Sequence, residues 1–172
     1  MRRWLPLAAL LFVALPASAR VASDAEFLPL VVGSQWKFVS SDGHEVAETV
    51  RGQVEITTGD GKALATAAAV AGADGSDFFY LRSESGVVRL YSPPSTLPDA
   101  QHATWVLRFP LHLGSHWESW TPDGKVEFRV TERRSVTAPD GSLTEGVRVD
   151  FTSLPEPIFS GHIWYARGVG PI

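Results

Sequence analysis

The sequence predicts an all-β protein: a curved antiparallel sheet, or open half-barrel, built from two tandem β-meander repeats. Three observations carry this expectation. The octet Pro29-Leu30-Val31-Val32-Gly33-Ser34-Gln35-Trp36 returns as Pro110-Leu111-His112-Leu113-Gly114-Ser115-His116-Trp117, with five of eight positions identical. Asp-Gly dipeptides punctuate the chain at matching places, Asp42-Gly43 with Asp123-Gly124 and Asp60-Gly61 with Asp140-Gly141. Such dipeptides mark hairpins, because glycine accepts the positive φ that tight two-residue turns require. No segment of the chain after residue 19 carries a persuasive helical period.

Taken in order, residues 1–19 read as a secretory signal peptide. Arg2 and Arg3 precede an apolar stretch from Trp4 to Leu15, and Pro16-Ala17-Ser18-Ala19 supplies small residues for cleavage before Arg20. The apolar stretch, about a dozen residues, is short of the ~20 that a membrane-spanning helix needs. Residues 20–172 are expected to form a single duplicated β domain, periplasmic or secreted, with no membrane span once the signal is removed. Without a cysteine at the cleavage site it is not a lipoprotein.

Repeat one covers 27–91. Val46, Val50, Val54 and Ile56 share one parity against Ala47, Thr49, Arg51, Gln53 and Glu55, the signature of a long strand with one buried face. Residues 62–71 are rich in alanine and favour helix on propensity. The matching stretch 142–151 alternates, with Val147, Val149 and Phe151 on one face, so both are read as strand. Phe78 to Leu81 and Val87 to Tyr91 complete the first meander. The linker 92–102 contains Pro93, Pro94 and Pro98, which lack donors and resist central strands. Repeat two covers 103–172, with strands expected at Thr104–Phe109, 125–130, Val147–Phe151 and Ile163–Tyr165. Tyr80-Leu81-Arg82 is answered by Tyr165-Ala166-Arg167, but Val87–Tyr91 has no counterpart after Gly170. The chain is therefore expected to continue past Ile172 by about 5 to 10 residues, the size of a strand and its exit, leaving Ile163–Tyr165 as an unprotected edge.

Composition removes several function classes. The 172 residues include no cysteine, which excludes disulfide scaffolds, thiolate zinc sites and cysteine nucleophiles. A formal charge of -4 argues against nucleic acid, whose binders present basic stripes. His112 and His116 have an H-x-x-x-H spacing that converges only on a helix, and repeat one has Val31 and Gln35 at these places, so no metal is expected. His162, beside a strand, reads as a structural histidine that could also line a pocket. There is no G-x-S-x-G elbow, no helix follows Gly168-Val169-Gly170 to complete a phosphate site, and no carboxylate pair stands out. No catalytic residue and no cofactor are expected. The P-L-x-x-G-S-x-W octet reads as a fold-building corner, in which a glycine turns the chain and a tryptophan drops onto the sheet.

The remaining candidates are ligand contacts. Trp117 and Trp120 differ by an odd number and point to opposite faces of a strand, so one of them is expected at a surface. Trp120, Trp164 and the repeat-equivalent pair Arg82 and Arg167 are the candidate binding residues. For the arginines, cross-strand pairing at the surface is the competing structural role.

The chain resembles a family of exported bacterial proteins described as TapB-like. The shared pattern is an early L-x-x-G-x-x-W (Leu30 to Trp36), a central F-P-L-x-x-G-x-x-W (Phe109 to Trp117) and a late W-Y-A-x-G-V-G (Trp164 to Gly170). Many members are lipoproteins, from which this chain departs. The resemblance implies an open half-barrel similar to the periplasmic lipoprotein carriers LolA and LolB, and brings no catalytic residues. The expected function is non-enzymatic: a concave apolar face that binds a hydrophobic small molecule or an envelope protein. The alternatives are a surface module that contacts glycan through exposed tryptophans, which needs at least two coplanar, solvent-exposed rings, and, last, a hydrolase.

Overall fold

The computed structural model describes residues 23–39, 45–57, 63–72, 75–91 and 103–172. The signal segment, the Asp-Gly turns at 42–43 and 60–61, His44 and the linker 92–102 lie outside the described residues. Among the described residues the only helical element is a 3-10 turn, Asp24–Phe27, capped by the Ser23 side chain. Among the described residues no helix is long and apolar enough to cross a membrane.

The fold is all-β, as expected, but is built from two curled antiparallel sheets that form half-barrels. The first contains β1 (Gln35–Val39), β2 (Glu45–Thr57), β3 (Ala63–Gly72), β4 (Asp77–Ser83), β5 (Gly86–Leu90) and β6 (Ala103–Arg108), in that order. The second contains β7 (His116–Thr121), β8 (Gly124–Thr137), β9 (Leu143–Leu154), β10 (Ser160–Ala166) and β11 (Gly170–Pro171). The alanine-rich segment is strand β3, paired along its length with β2 and partly with β4. There the small side chains let neighbouring residues pack, and tertiary pairing overrides helix propensity.

Both octets form the same corner. Gly33 N–H donates to Val50 O at 2.8 Å, Ser34 N–H to Val31 O at 3.0 Å, and Val50 N–H to Ser34 O at 2.9 Å. Gly114, Ser115 and Val130 make the matching bonds to Val130 O, His112 O and Ser115 O at 2.9, 2.9 and 2.8 Å. Gly33 and Gly114 have φ of 91° and 85°, the left-handed region that only glycine enters without strain. A bulge follows each corner valine, between Val50 and Gly52 in β2 and between Val130 and Glu132 in β8.

The bulge corrects the one-face reading of β2. An extra residue flips the parity of everything beyond it. Val50 therefore packs inward with Trp36, Val70, Phe78 and Tyr80, whereas Ile56 joins Ala67, Phe79, Val88 and Leu90 in a second cluster on the opposite face of the sheet. Strand 103–108 is a second correction. It pairs with β5 and so completes the first sheet rather than opening the second.

The inward faces of the two sheets meet in one core that combines Trp36, Val50, Val70 and Val87 with Trp117, Val130, Val147 and Val149. The sheets are joined at two seams by side chains. At β6/β7, Trp117 Nε1–H donates to Trp105 O at 2.9 Å, and the buried Ser119 Oγ accepts from Trp105 N–H at 2.8 Å. At β1/β11, Trp36 Nε1–H donates to Val169 O at 3.0 Å. The strand β11 stands in the place expected to be empty. It pairs with Tyr165 and Ala166, and Ile172 N–H bonds Trp164 O, so the edge is covered there. Ser160 to Ile163 pair with β9 alone among the described residues.

The β1/β11 seam is tight enough to test. A Cβ on Gly170, whose φ is 102°, would lie 2.3 Å from Trp36 Nε1. Gly168, with φ of 77°, has nothing within 4 Å of a built Cβ. Gly170→Ala is expected to cost about 2–3 kcal/mol, combining backbone strain with a clash, and to lower Tm by roughly 4–10 °C. Gly168→Ala carries the strain alone and costs about 1 kcal/mol. Thermal unfolding followed by circular dichroism decides, and equal losses in the two variants would show that the indole contact does not close the seam.

Candidate functional site

The sheets part where β1 and β10 run on beyond β11. There a cavity of about 730 Å³ opens between them. Its mouth is formed by Val39 at the end of β1, Val46 at the start of β2, and Phe159 to His162 at the start of β10. The inner wall carries Leu28, Val106, Phe151, Ile163 and the two tyrosines Tyr80 and Tyr165. This volume and mainly apolar lining fall within the range of small-molecule sites.

One polar cluster interrupts the apolar wall. Glu48 is buried, and its Oε2 accepts from Tyr80 O–H at 3.3 Å. Its Oε1 lies 3.4 Å from Arg89 Nη1. The Arg89 guanidinium covers the Phe78 ring at 3.7 Å, and its Nε, buried, has no hydrogen-bond partner. Burial raises the proton affinity of Glu48 above that of an ordinary carboxylate, with Arg89 and the Tyr80 bond pulling the other way. Burial, and after it the Glu48 charge, pushes the Tyr80 phenol well above its usual value, and burial does the same to Tyr165.

The strand alternation explains these positions. Glu48 has the parity of Val46 and Val50 before the bulge, so its side chain must turn inward. Arg89 has the parity of Val87, which is fully buried. Neither stood out in the sequence as a candidate. The available signal was a lone acid on the apolar parity of β2. Phe128 stands at the equivalent place in β8, two residues before the corner valine, and stacks on Trp117 with ring centroids 5.5 Å apart.

The four candidate residues lie elsewhere. Trp120 is 50% exposed on the outer face of β7, while Trp117 is buried, as their parity requires. Trp164 is half-buried on the outer face of β10, under the Arg134 guanidinium at 4.7 Å, beside a shallow groove that includes Val136 and Ile172. Trp120 is the only exposed tryptophan among the described residues, so the coplanar pair required of a glycan platform is not formed by tryptophans.

Arg82 and Arg167 are brought together, but on the N-terminal segment rather than on a ligand. Arg82 Nη2 donates to Leu28 O. Arg167 Nη1 donates to Ser23 O at 2.8 Å and to Glu26 Oε2 at 3.1 Å, its Nε reaches Glu145 Oε2 at 2.9 Å, and its guanidinium lies 4.4 Å from the Phe27 ring. Arg167 thus keeps the expected cross-strand pairing, with Glu145 across from it near the start of β9, and adds the N-terminal segment to it, whereas Arg82 holds Leu28 O. Arg133, which bonds Leu111 O and Glu145, adds a third clasp, and Asp24 Oδ2 accepts from Leu111 N–H at 2.7 Å. Phe27 and Leu28 are thereby fixed in the core at the end of the barrel away from the cavity mouth.

His112 and His116 are exposed at the second corner, and His162 sits on the cavity rim. Among the described residues no three His, Cys, Asp or Glu converge as a metal site would require. Comparison with protein-family models, with characterised proteins and with solved structures finds no match.

Two predictions follow from this geometry. Arg89→Met leaves Glu48 buried without its countercharge and is expected to cost about 2 kcal/mol at pH 8, less than a fully buried pair because Arg89 is partly exposed. A carboxyl whose folded-state pKa is raised binds its proton more tightly when folded, so its ionisation costs stability as pH rises through that value. The deficit of the variant should shrink as pH falls from 8 towards 5, measured as urea midpoints against the unmodified chain. A deficit independent of pH would remove the Glu48 charge from the explanation. Separately, Arg167→Ala should speed amide exchange at Phe27 and Leu28 by about tenfold, a loss of ~1.4 kcal/mol in local stability, and unchanged exchange would deny the clasp.

Proposed function

We propose that this chain is a non-enzymatic exported binding protein that holds a hydrophobic small molecule between its two sheets. The observation that carries this reading is the 730 Å³ mainly apolar cavity, open at one end, beside the packed core that the two sheets share. A binding role needs a preformed concave site with few polar groups, and this cavity has that character. Its one inner carboxylate, Glu48, is engaged with Tyr80 and Arg89, an arrangement suited to orienting a ligand rather than to transferring protons.

The signal-like pattern at 1–19 supports export to the periplasm or the medium. The matching corner bonds and bulges support reading the two halves as copies of one unit, with β1–β5 answered by β7–β11. The motifs from Leu30 to Gly170 support placement among the TapB-like proteins. An envelope protein remains the other class of partner.

Native mass spectrometry of the purified chain, followed by solvent extraction, is expected to reveal a bound apolar molecule. Nile red, a neutral apolar dye, should bind and fluoresce. Val46→Trp places a bulky ring at the mouth, on a residue 40% exposed, and should weaken dye binding about tenfold without lowering Tm. Dye binding indifferent to Val46→Trp would take the cavity out of the account.

A further inference from the structure

The polar cluster deepens that reading, on which it rests, by defining the head of the ligand. Glu48 and Arg89 face the same cavity and already compensate each other's charge, with Oε1 and Nη1 3.4 Å apart. Neither is saturated. Each carboxylate oxygen can accept more than the single contact it has, and a guanidinium carries five N–H donors, of which Nη1 alone meets Glu48 and Nε meets nothing. Spare acceptors on Glu48 and spare Nη donors on Arg89 therefore stand side by side on the inner wall, whose other polar groups are the Tyr80 and Tyr165 phenols, with Ser160 and His162 at the mouth.

Three classes of head group meet this wall differently. A carboxylate drawn to Arg89 would stand against Glu48, and like charges in one partly desolvated site oppose each other. An ammonium would meet Arg89 in the same way. A plain hydrocarbon would dry the pair without bonding it, leaving desolvated polar groups unsatisfied. A hydroxyl can donate to Glu48 and accept from Arg89 while adding no charge. We propose that the cavity binds an amphiphile with an apolar chain and an uncharged, hydroxyl-bearing head placed between Glu48 and Arg89.

Displacement of Nile red from the full chain at pH 8 tests this with three twelve-carbon probes: the monoacylglycerol, the fatty acid anion and the alkane. The monoacylglycerol is expected to displace the dye at about tenfold lower concentration than either of the others. In Glu48→Gln, which frees Arg89 to pair with an anion, the fatty acid should gain about tenfold relative to the monoacylglycerol. Should that variant not fold, the double variant Glu48→Gln with Arg89→Met, which leaves no buried charge, is expected to lose the preference for monoacylglycerol over alkane. A fatty acid or alkane that binds the unmodified chain as tightly as the monoacylglycerol overturns the head-group assignment alone. Displacement by none of the three overturns the cavity reading and this assignment with it.

Discussion

Two indole N–H bonds hold the architecture together. Each half-barrel ends in edge strands whose backbone groups need partners, and no continuous ladder joins one sheet to the other across either seam. Trp36 reaches from the first sheet to Val169 O, and Trp117 reaches from the second to Trp105 O. Tryptophan suits this task because it buries a large apolar surface and carries one directional donor. The octet that contains it fixes where the donor points, since the glycine turn and the bonds to the next strand set the start of β1 and β7. A change in either corner would displace an indole, and with it a seam.

Once the seams are closed, the ends of the barrel behave differently. The N-terminal 3-10 turn fills one end, where Phe27 and Leu28 enter the core and three arginines bind its backbone or flank its ring. Those arginines come from β4, β8 and the turn after β10, so the clasp draws on both sheets. The guanidiniums of Arg133 and Arg167 combine hydrogen bonding with a place over the Phe27 ring, which a lysine could not reproduce. The opposite end has no equivalent plug among the described residues. There β1 and β10 diverge beyond the short pairing with β11, and the cavity opens between them.

Much of this was legible in the sequence, and the failures have definite causes. The corner octet, the strand character of the alanine-rich β3 and the opposed faces of Trp117 and Trp120 all follow from repetition and period-two alternation. The second cluster around Ile56 could not be read, because a bulge at one residue reverses a face without leaving a mark in composition. The roles of Arg82 and Arg167 were not legible either. Their equivalence across the halves suggested a shared site, yet both reach the N-terminal segment, 54 and 144 residues away, and Arg167 also pairs with Glu145 on β9. Glu48 and Arg89 belong to no motif and answer no like residue in the other half, so only their parity, on the inner face of β2 and β5, could have singled them out.

The departure of one half from the other at that point is informative. Val50 and Val130 make the same corner bonds, so Glu48 and Phe128 are structural equivalents. In the second half the position is filled by a ring stacked on Trp117, at an interplanar angle of 8°, and contributes to the core. In the first half it carries a charge that needs Tyr80 and Arg89 around it. Stability does not select for that exchange, since an apolar substitute for a buried ion pair is often neutral or better by about 1–4 kcal/mol. Tyr80 and Tyr165, equivalent across the halves, both face the cavity, so the tyrosine is common to the unit and the acid is particular to one half. The polar cluster is thus an addition to a fold that already packs without it, and it stands on the wall of the cavity, where a ligand rather than the core would make use of it.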